Sequence, residues 1–228
     1  MRTMERLFQI AIDGPAAAGK STVAKIVARH LGFVYIDTGA MYRSLTYKAL
    51  KSGTDINDGP QLKKLLDETD IVLKHAEDGQ KVIVDGKDVS ERIRRADVTA
   101  HVSQVSSFGE VRSEMVHRQR RLAENGDVVM DGRDIGTHVL PKAQVKIFLK
   151  ASVDERAIRR FREEEKKGLS PSLQALKKAI ALRDKQDMER TVSPLVKAED
   201  AIELDTTSLS IEEVVGRILQ IVKERRAC

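Results

Sequence analysis

One short run of residues carries the most recognisable chemistry of this 228-residue chain. Gly14, Lys20 and Ser21 have the spacing of a phosphate-binding loop, in which a glycine and four further residues precede Gly-Lys-Ser. Glycine lets the backbone bend so that its N–H groups converge on an anion. The lysine supplies a charge for the β- and γ-phosphates, and the serine supplies a hydroxyl to Mg²⁺. The pattern predicts a loop that binds a nucleoside triphosphate.

The flanking sequence supports this prediction. Residues 8–13 have the apolar character of a buried strand, and residues 21–31 form an amphipathic helical pattern that ends at Gly32. A loop between a strand and a helix N-terminus is well placed to hold phosphate. We therefore expect ATP to be held by Gly14, Pro15, Ala16, Ala17, Ala18, Gly19, Lys20, Ser21 and Thr22, with Ser21 as the metal ligand.

Arginines near predicted loops and strand ends indicate what the triphosphate is used for. Phosphoryl transfer depends on positioning and on stabilising negative charge, and guanidinium groups bind phosphate oxygens bidentately. A phosphate acceptor is already largely ionised near neutral pH, since its second pKa is about 6, whereas a hydroxyl acceptor requires a positioned carboxylate. The arginines favour a phosphate acceptor and a reaction without a general base. They are Arg43, Arg112, Arg133, Arg183 and Arg190.

Arg112 lies inside the apolar stripe of a helical stretch, predicted as one helix or two, over residues 96–124. It follows Phe108 by four positions and precedes Met115 by three. An arginine on an apolar face either needs a buried partner or extends its charge past the edge of the stripe. The spacing leaves both alternatives open.

The segment 150–190 is strongly basic, with twelve Lys and Arg against eight Asp and Glu, in a chain of net charge +5. A basic segment can bind nucleic acid or a small polyanion such as ATP, and the lack of interleaved aromatic residues favours ATP. Arg156 and Arg160 share one face of a predicted helix there. That helix is either a solvated surface with internal ion pairs or a mobile lid over the triphosphate.

Arg183, Asp187 and Arg190 have the spacing of one helical face, on a helix that we expect Pro194 to end. An aspartate between two arginines forms either an ion-pair ladder or an acceptor for sugar hydroxyls between two phosphate-binding groups. Both interpretations stay open at this point.

The order of elements predicts an α/β fold. Five runs of strand character alternate with helical segments, which favours a mostly parallel sheet with ligands at the carboxyl ends of its strands. Gly14, Asp37 and the segment 131–134 should therefore converge. The strands are expected at residues 8–13, 34–37, 127–131, 145–149 and 201–205. Helices are expected at residues 40–51, 62–66 and 211–224. The first of these helices should follow a turn at Thr38-Gly39, and the second should follow a break at Gly59-Pro60.

Residues 70–93 predict a small antiparallel insertion with turns at Glu77–Gly79 and Asp85–Lys87. Val82–Asp88 looks like Val128–Asp134, but we favour a hairpin turn at Asp85-Gly86 over a duplicated site.

The only cysteine is Cys228, which excludes a disulfide within the chain and a zinc site built of cysteines and fits a reducing cytosol. No run approaches the ~18 apolar residues of a membrane span, and we expect a cytoplasmic protein without a signal peptide.

Taken together, the motifs resemble those of the bacterial cytidylate kinase family over essentially the whole chain. Asp-Thr-Gly-Ala-Met-Tyr-Arg and Asp-Gly-Arg-Asp-Ile-Gly-Thr are highly specific in combination. The segments that carry the resemblance are Gly14–Ser21, Asp37–Arg43, Ser103–Val105, Asp131–Thr137, Val145–Leu149 and the set Arg183, Asp187 and Arg190.

The resemblance implies transfer of the γ-phosphoryl group of ATP to CMP or dCMP with Mg²⁺. It also implies a P-loop kinase fold in one domain, with a five-stranded parallel sheet flanked by helices, a small antiparallel β insertion and a helical lid. The core would comprise about 1–66, 96–150 and 171–228, the monophosphate-binding insertion about 67–95, and the lid about 151–170. We expect a monomer that binds neither nucleic acid nor membrane.

The resemblance also implies roles for individual residues. Ser103, Arg112 and Asp134 would read the cytosine edge, and Asp187 with Arg183 would hold the sugar hydroxyls. Thr38, which is Ser in some members, and Tyr42 would line the site, while the role of Asp131 in metal binding stays open. Arg43, Arg133 and Arg190 would bind the acceptor phosphate, and the catalytic set would be Lys20, Arg133, Arg156, Arg160 and Arg190.

Two other functions remain under consideration from the sequence. One is a P-loop kinase for a different nucleotide acceptor. The other is an ATP-gated protein that binds polynucleotide through the segment 150–190, which would make binding salt-sensitive.

Overall fold

The computed structural model describes residues 7–76, 79–166 and 168–227. Its central feature is a five-stranded sheet, all parallel, with strand order β2-β6-β1-β7-β8, beside a three-stranded antiparallel sheet of β3, β4 and β5. The strands are β1 Gln9–Asp13, β2 Val34–Asp37, β3 Ile71–Ala76, β4 Gly79–Val84, β5 Lys87–Asp88, β6 Val128–Gly132, β7 Val145–Lys150 and β8 Ile202–Asp205. The helices are α1 Lys20–Leu31, α2 Thr38–Ser52, α3 Gly59–Asp67, α4 Ala96–Val105, α5 Gly109–Leu122, α6 Val153–Glu165, α7 Leu173–Glu189 and α8 Ile211–Ala227.

The predicted α/β class and the five parallel strands are confirmed. The strands are apolar along their length because helices cover both faces of the sheet. On one face Ile10 and Ile12 pack with Val27 of α1 and Ile218 of α8, and on the other face Met130 lies in a second cluster. This buried sheet gives the carboxyl ends of its strands a fixed position.

The strand register brings the expected strand ends together. Asp13 lies opposite Gly132, and Asp37 lies opposite Asp131. The predicted convergence of the loop after β1 with Asp37 and the segment 131–134 is therefore confirmed.

Two predicted turns are instead the first turns of helices. The turn expected at Thr38-Gly39 is wrong, since α2 begins at Thr38 and the Asp37 carboxylate accepts a hydrogen bond from the Ala40 N–H as its N-cap. The break expected at Gly59-Pro60 is also wrong, because α3 starts there. Asp58 caps α3, and proline is well tolerated in a first helical turn.

The predicted helix through Arg190 to Pro194 ends early, at Glu189. Arg190 is extended, with φ −62° and ψ 140°, and the Leu195 N–H donates to the Asp187 carbonyl at 2.8 Å. The chain therefore turns back before Pro194, and Arg190 is not on the same helical face as Arg183. The stretch 96–124 forms two main helices, α4 and α5, followed by one short 3-10 turn.

The antiparallel insertion is confirmed. Asp85 and Gly86 both have positive φ, 48° and 77°, which is the two-residue hairpin turn predicted for them. The insertion packs on α2 through a cluster that includes Ala40 and Val82. Glu77, Asp78 and Cys228 lie outside the described residues. Within those residues, no helix is long and apolar enough to cross a membrane.

Candidate active site

The loop Gly14–Ser21, here the phosphate loop, joins the central strand β1 to α1. Gly14 has φ 147°, and a Cβ there would lie 2.2 Å from the Leu149 carbonyl oxygen of β7, so no other residue fits. Gly19 takes a left-handed conformation as the N-cap residue of α1. The loop therefore lies tightly against the sheet and presents the free N-terminus of α1, which favours an anion.

Lys20 is buried in the phosphate loop, with 5% of its surface exposed. Its Nζ donates to the Pro15 carbonyl oxygen at 2.6 Å. Burial is the main cause that moves its pKa well below the usual range, and the nearby Arg133 lowers the pKa further. A desolvated ammonium group that faces a second cation gains strongly from a bound anion.

The side-chain carboxylate of Asp131, near the end of β6, accepts hydrogen bonds from two hydroxyl groups. Ser21 Oγ donates to its Oδ2 at 2.8 Å and Tyr35 OH to its Oδ1 at 2.7 Å. Burial raises the pKa of Asp131, and the charge of Asp37 adds to that effect. The described residues contain no cluster of three His, Cys, Asp or Glu that could hold a metal alone. A hydroxyl beside one carboxylate still suits Mg²⁺, which keeps several waters and takes phosphate ligands.

A second pocket opens beside the phosphate loop, and we call it the acceptor pocket. Helices α2, α4, α5 and α7 and the segment after β6 contribute to it. All ten residues predicted for the CMP site line this single pocket: Thr38, Tyr42, Arg43, Ser103, Arg112, Arg133, Asp134, Arg183, Asp187 and Arg190.

Arg112 is 2% exposed, so its charge does not extend past the edge of the apolar stripe. Its guanidinium forms an ion pair with Asp134, donates to the Ser106 carbonyl at 3.1 Å and lies 5.4 Å from the Tyr42 ring centroid. Of the two open alternatives, the buried partner is correct. The pair places a donor and an acceptor in fixed positions, as the reading of a base edge requires.

Asp187 is the carboxylate at the centre of the acceptor pocket. It accepts from Ser103 Oγ at 3.2 Å and from Arg133 Nε at 2.9 Å, and Arg190 lies 3.9 Å away. Burial alone would raise the pKa of Asp187, but Arg133, Arg183 and Arg190 hold it below the usual value. The carboxylate therefore stays ionised and able to accept hydrogen bonds.

The arginines of the acceptor pocket repel one another. Burial, followed by the charge of Arg133, lowers the pKa of Arg183 to about 10, and Arg43 and Arg160 contribute. Arg183 Nε is also buried without a hydrogen-bond partner among the described residues. A bound anion would relieve the repulsion and supply the missing acceptor.

Arg156 and Arg160 lie on α6, on the side of the phosphate loop. Arg156 is buried beneath the loop, where it donates to the Ala16 carbonyl at 2.9 Å and pairs with Asp184 at 2.6 Å. Arg160 forms an ion pair with Glu164. It also lies close enough to Arg183 for its charge to lower the pKa of that arginine. Helix α6 therefore carries an ion pair within the helix, Arg160–Glu164, and one arginine, Arg156, that is fixed against the phosphate loop.

Sequence reasoning missed Asp13 and Asp184. Asp13 accepts hydrogen bonds from the N–H groups of Ile135 and Gly136 at 2.9 and 2.8 Å, which fixes the segment after Asp134 to the start of the phosphate loop. Burial raises its pKa to about 6. Its place at a strand end, directly before the loop, was the available signal. Asp184 offers no comparable signal in the sequence.

A phosphate loop at the centre of a parallel sheet, facing a pocket of arginines, defines a P-loop kinase. The sequence matches the family model described as "Cytidylate kinase" over residues 10–224. The chain belongs to the cytidylate kinase family, as its motifs predicted.

Curated relatives agree over nearly the full chain. A cytidylate kinase of Geobacillus sp. (strain WCH70) is 62% identical over 97% of this chain and 99% of its own length. A cytidylate kinase of Bacillus subtilis (strain 168) is 59% identical with the same coverage. Among solved structures, an uncharacterized protein from Eubacterium ventriosum has the same fold, with a TM-score of 0.53, 16% identity and coverage of 96% of this chain and 99% of that one.

Proposed function

We propose that this protein transfers the γ-phosphoryl group of ATP to CMP or dCMP and releases ADP and CDP or dCDP. The observation that carries the proposal is the acceptor pocket, which collects ten residues of suitable chemistry directly beside the phosphate loop. Family membership supports the same reaction.

ATP binds to the phosphate loop and Thr22. The backbone of Gly14–Gly19 holds the phosphates, and Lys20 neutralises charge on the β- and γ-phosphates. Ser21 would hold Mg²⁺, with the Asp131 carboxylate orienting that hydroxyl through the 2.8 Å hydrogen bond. When bound, the metal would supply positive charge to the phosphate oxygens.

CMP binds in the acceptor pocket. Ser103, Arg112 and Asp134 read the cytosine edge, because they combine fixed donors and acceptors at one buried position. Asp187, kept ionised by three arginines, accepts hydrogen bonds from the sugar together with Arg183. Thr38 and Tyr42 line the pocket, and the acceptor phosphate is bound by Arg43, Arg133 and Arg190.

Transfer needs no general base, since the attacking oxygen belongs to an ionised phosphate. The residues that stabilise the transferred group are Lys20 and the arginines on both sides of it. Arg133 lies close enough to Lys20 to lower the pKa of the lysine. This proximity supports the proposal that both cations contact the transferred phosphoryl group. The catalytic set is Lys20, Arg133, Arg156, Arg160 and Arg190.

The chain works as one kinase domain. Its core comprises about 1–66, 96–150 and 171–228, and the insertion of about 67–95 belongs to the monophosphate side. The segment of about 151–170, with α6, closes over the bound nucleotides as a lid. We propose a monomer that acts in the cytoplasm and that binds no nucleic acid.

A panel of acceptors tests this function. Initial rates with Mg²⁺ and ATP are measured for CMP, dCMP, UMP, AMP and GMP in a coupled ADP assay. We expect CMP and dCMP to give the highest kcat/KM. High activity with AMP and none with CMP would contradict the assignment of the base-reading residues. Binding of polynucleotide at physiological salt would favour the nucleic-acid alternative.

A further inference from the structure

Asp184 has no role in the transfer described above, although its carboxylate is buried between the phosphate loop and α6. Its Oδ1 accepts a hydrogen bond from the Ala16 N–H at 3.2 Å, and its Oδ2 pairs with Arg156 at 2.6 Å. Arg156 in turn donates to the Ala16 carbonyl at 2.9 Å. Side chains of α6 and α7 therefore hold both backbone groups of one residue in the phosphate loop.

The same helix reaches the acceptor pocket three residues later. Asp187 accepts from Ser103 and from Arg133, and Arg183 precedes Asp184 in the chain. Helix α7 thus contacts the phosphate loop through one carboxylate and the acceptor pocket through the next. Residues three apart lie on neighbouring positions of a helix surface, so a shift of one carboxylate moves the other.

We propose that Asp184 is a positioning residue that couples the two nucleotide sites, so that occupancy of the phosphate loop by ATP strengthens the binding of CMP. When the triphosphate fixes the loop, Ala16 is fixed with it. Asp184 then holds α7 in the position in which Asp187 and Arg183 meet the sugar of CMP. The inference rests on the proposed function of both sites.

The Asp184–Arg156 pair suits such a task because it is buried and polar at once. Such a pair is costly to separate, and its geometry is therefore well defined. Coupling free energy is reciprocal, so CMP must strengthen the binding of ATP by the same factor.

Calorimetric titration measures the coupling. CMP is titrated into the protein with and without Mg²⁺ and the non-hydrolysable analogue β,γ-imido-ATP. In the unmodified protein we expect the analogue to lower the Kd of CMP by about fivefold or more, within the range usual for coupled sites. In Asp184→Asn we expect the two Kd values of CMP to agree within about twofold. In Asp184→Glu, which keeps the charge, we expect part of the coupling to return.

Glu189→Gln is the matched control, because it removes one carboxylate from an exposed position of α7, where it forms a 4.0 Å ion pair with Lys185. It should retain the full coupling. A variant that weakens both ligands but keeps their coupling factor would show that Asp184 is merely structural and would overturn the proposal. Absence of coupling in the unmodified protein would overturn it as well.

Hydrogen exchange keeps the inference testable if Asp184→Asn does not fold. In the unmodified protein, the analogue alone should slow amide exchange in the segment 183–190, and unchanged exchange there would contradict the coupling. These results differ from a failure of the proposed function, in which the unmodified protein would bind neither CMP nor the analogue.

Discussion

We propose that the phosphate loop and the acceptor pocket both bind phosphate, but the two regions are built differently. The phosphate loop is a run of eight consecutive residues whose backbone, with Lys20 and Ser21, makes the site. The acceptor pocket uses side chains between Thr38 and Arg190, which four helices and one loop bring together. A site made of local backbone depends on spacing, whereas a site made of distant side chains depends on the whole fold.

The two regions also differ in how they carry charge. In the phosphate loop, Lys20 lies near Asp13 and Asp131, whose charges oppose the lowering of its pKa. In the acceptor pocket, arginines outnumber carboxylates, and burial together with repulsion from the other arginines lowers the pKa of Arg183 to about 10. A bound anion therefore stabilises one buried lysine in the first region and a group of mutually repelling arginines in the second.

Replacement of Lys20 should have the largest effect, because it removes the only side-chain cation of the phosphate loop. In Lys20→Ala we expect kcat to fall about 10³-fold. Lys63→Ala, which removes a half-buried lysine paired with Asp67 on α3, is the control and should leave kcat unchanged. The measurement is the initial rate at saturating substrates. A near-normal kcat for Lys20→Ala would show that the lysine of the phosphate loop takes no part in phosphoryl transfer.

Asp13 joins the two regions and should make the stability depend on pH. Its folded pKa of about 6 lies above the usual 3.8, so the folded chain holds the proton more tightly than the unfolded chain does. The stability that protonation gives is complete below about pH 4 and is lost as the pH rises through about 6. In urea titrations, the free energy of unfolding should fall by about 3 kcal/mol relative to Asp13→Asn over this interval. Parallel pH profiles for the two proteins would show that Asp13 is not buried as described.

Arg112 should matter for the choice of acceptor more than for the chemistry. In Arg112→Met we expect kcat/KM for CMP to fall about 10²-fold, whereas the value for the poor substrate UMP should change only a few-fold. Arg121→Met, at an exposed position of the same helix, is the control. Equal losses with both acceptors would mean that the Arg112–Asp134 pair only supports the fold.

Tyr35→Phe should have the smallest effect, limited to the side of the phosphate loop. The change removes one of the two hydroxyl groups that donate to the Asp131 carboxylate. Because this carboxylate orients Ser21, the Mg²⁺ concentration for half-maximal rate should rise about tenfold. KM for CMP should stay unchanged. Tyr47→Phe is the matched control, since that hydroxyl accepts a long hydrogen bond from Arg92, at 3.4 Å, and lies away from Asp131. If Tyr35→Phe raised KM for CMP instead, Asp131 would belong to the acceptor side.

The same contrast explains what the sequence could predict. The phosphate loop was complete from its spacing, and the five strands followed from apolar runs, because both are local properties of the chain. The arginines of the acceptor pocket and Asp187 stand out by residue type and spacing, but their individual roles, and the other residues of the pocket, come from resemblance to a family. Nothing local in the sequence says that Ser103 meets Asp187. The partner of Arg112 stayed open for the same reason: the apolar stripe shows a buried face but not that Asp134, 22 positions away, lies opposite.

The errors also have local causes. The starts of α2 and α3 were placed too late because Gly39 and Gly59-Pro60 favour turns, yet Asp37 and Asp58 cap a helix at those points. The end of α7 was placed too late because the arginine spacing continues the helical pattern, whereas the Asp187–Leu195 hydrogen bond turns the chain. Hydrophobic periodicity indicates which residues of a helix face the core. It does not show which single residue caps the helix, or which hydrogen bond turns the chain after its last residue.

The most direct test compares CMP with cytidine as acceptors, because the account rests on a pocket of arginines that binds an already ionised phosphate. Initial rates are measured with each acceptor at saturating Mg²⁺ and ATP. We predict phosphoryl transfer to CMP and a kcat/KM for cytidine at least about 10³-fold lower, since cytidine lacks the phosphate through which the arginines of the pocket would position the acceptor. Comparable values for the two acceptors would contradict the two-phosphate site.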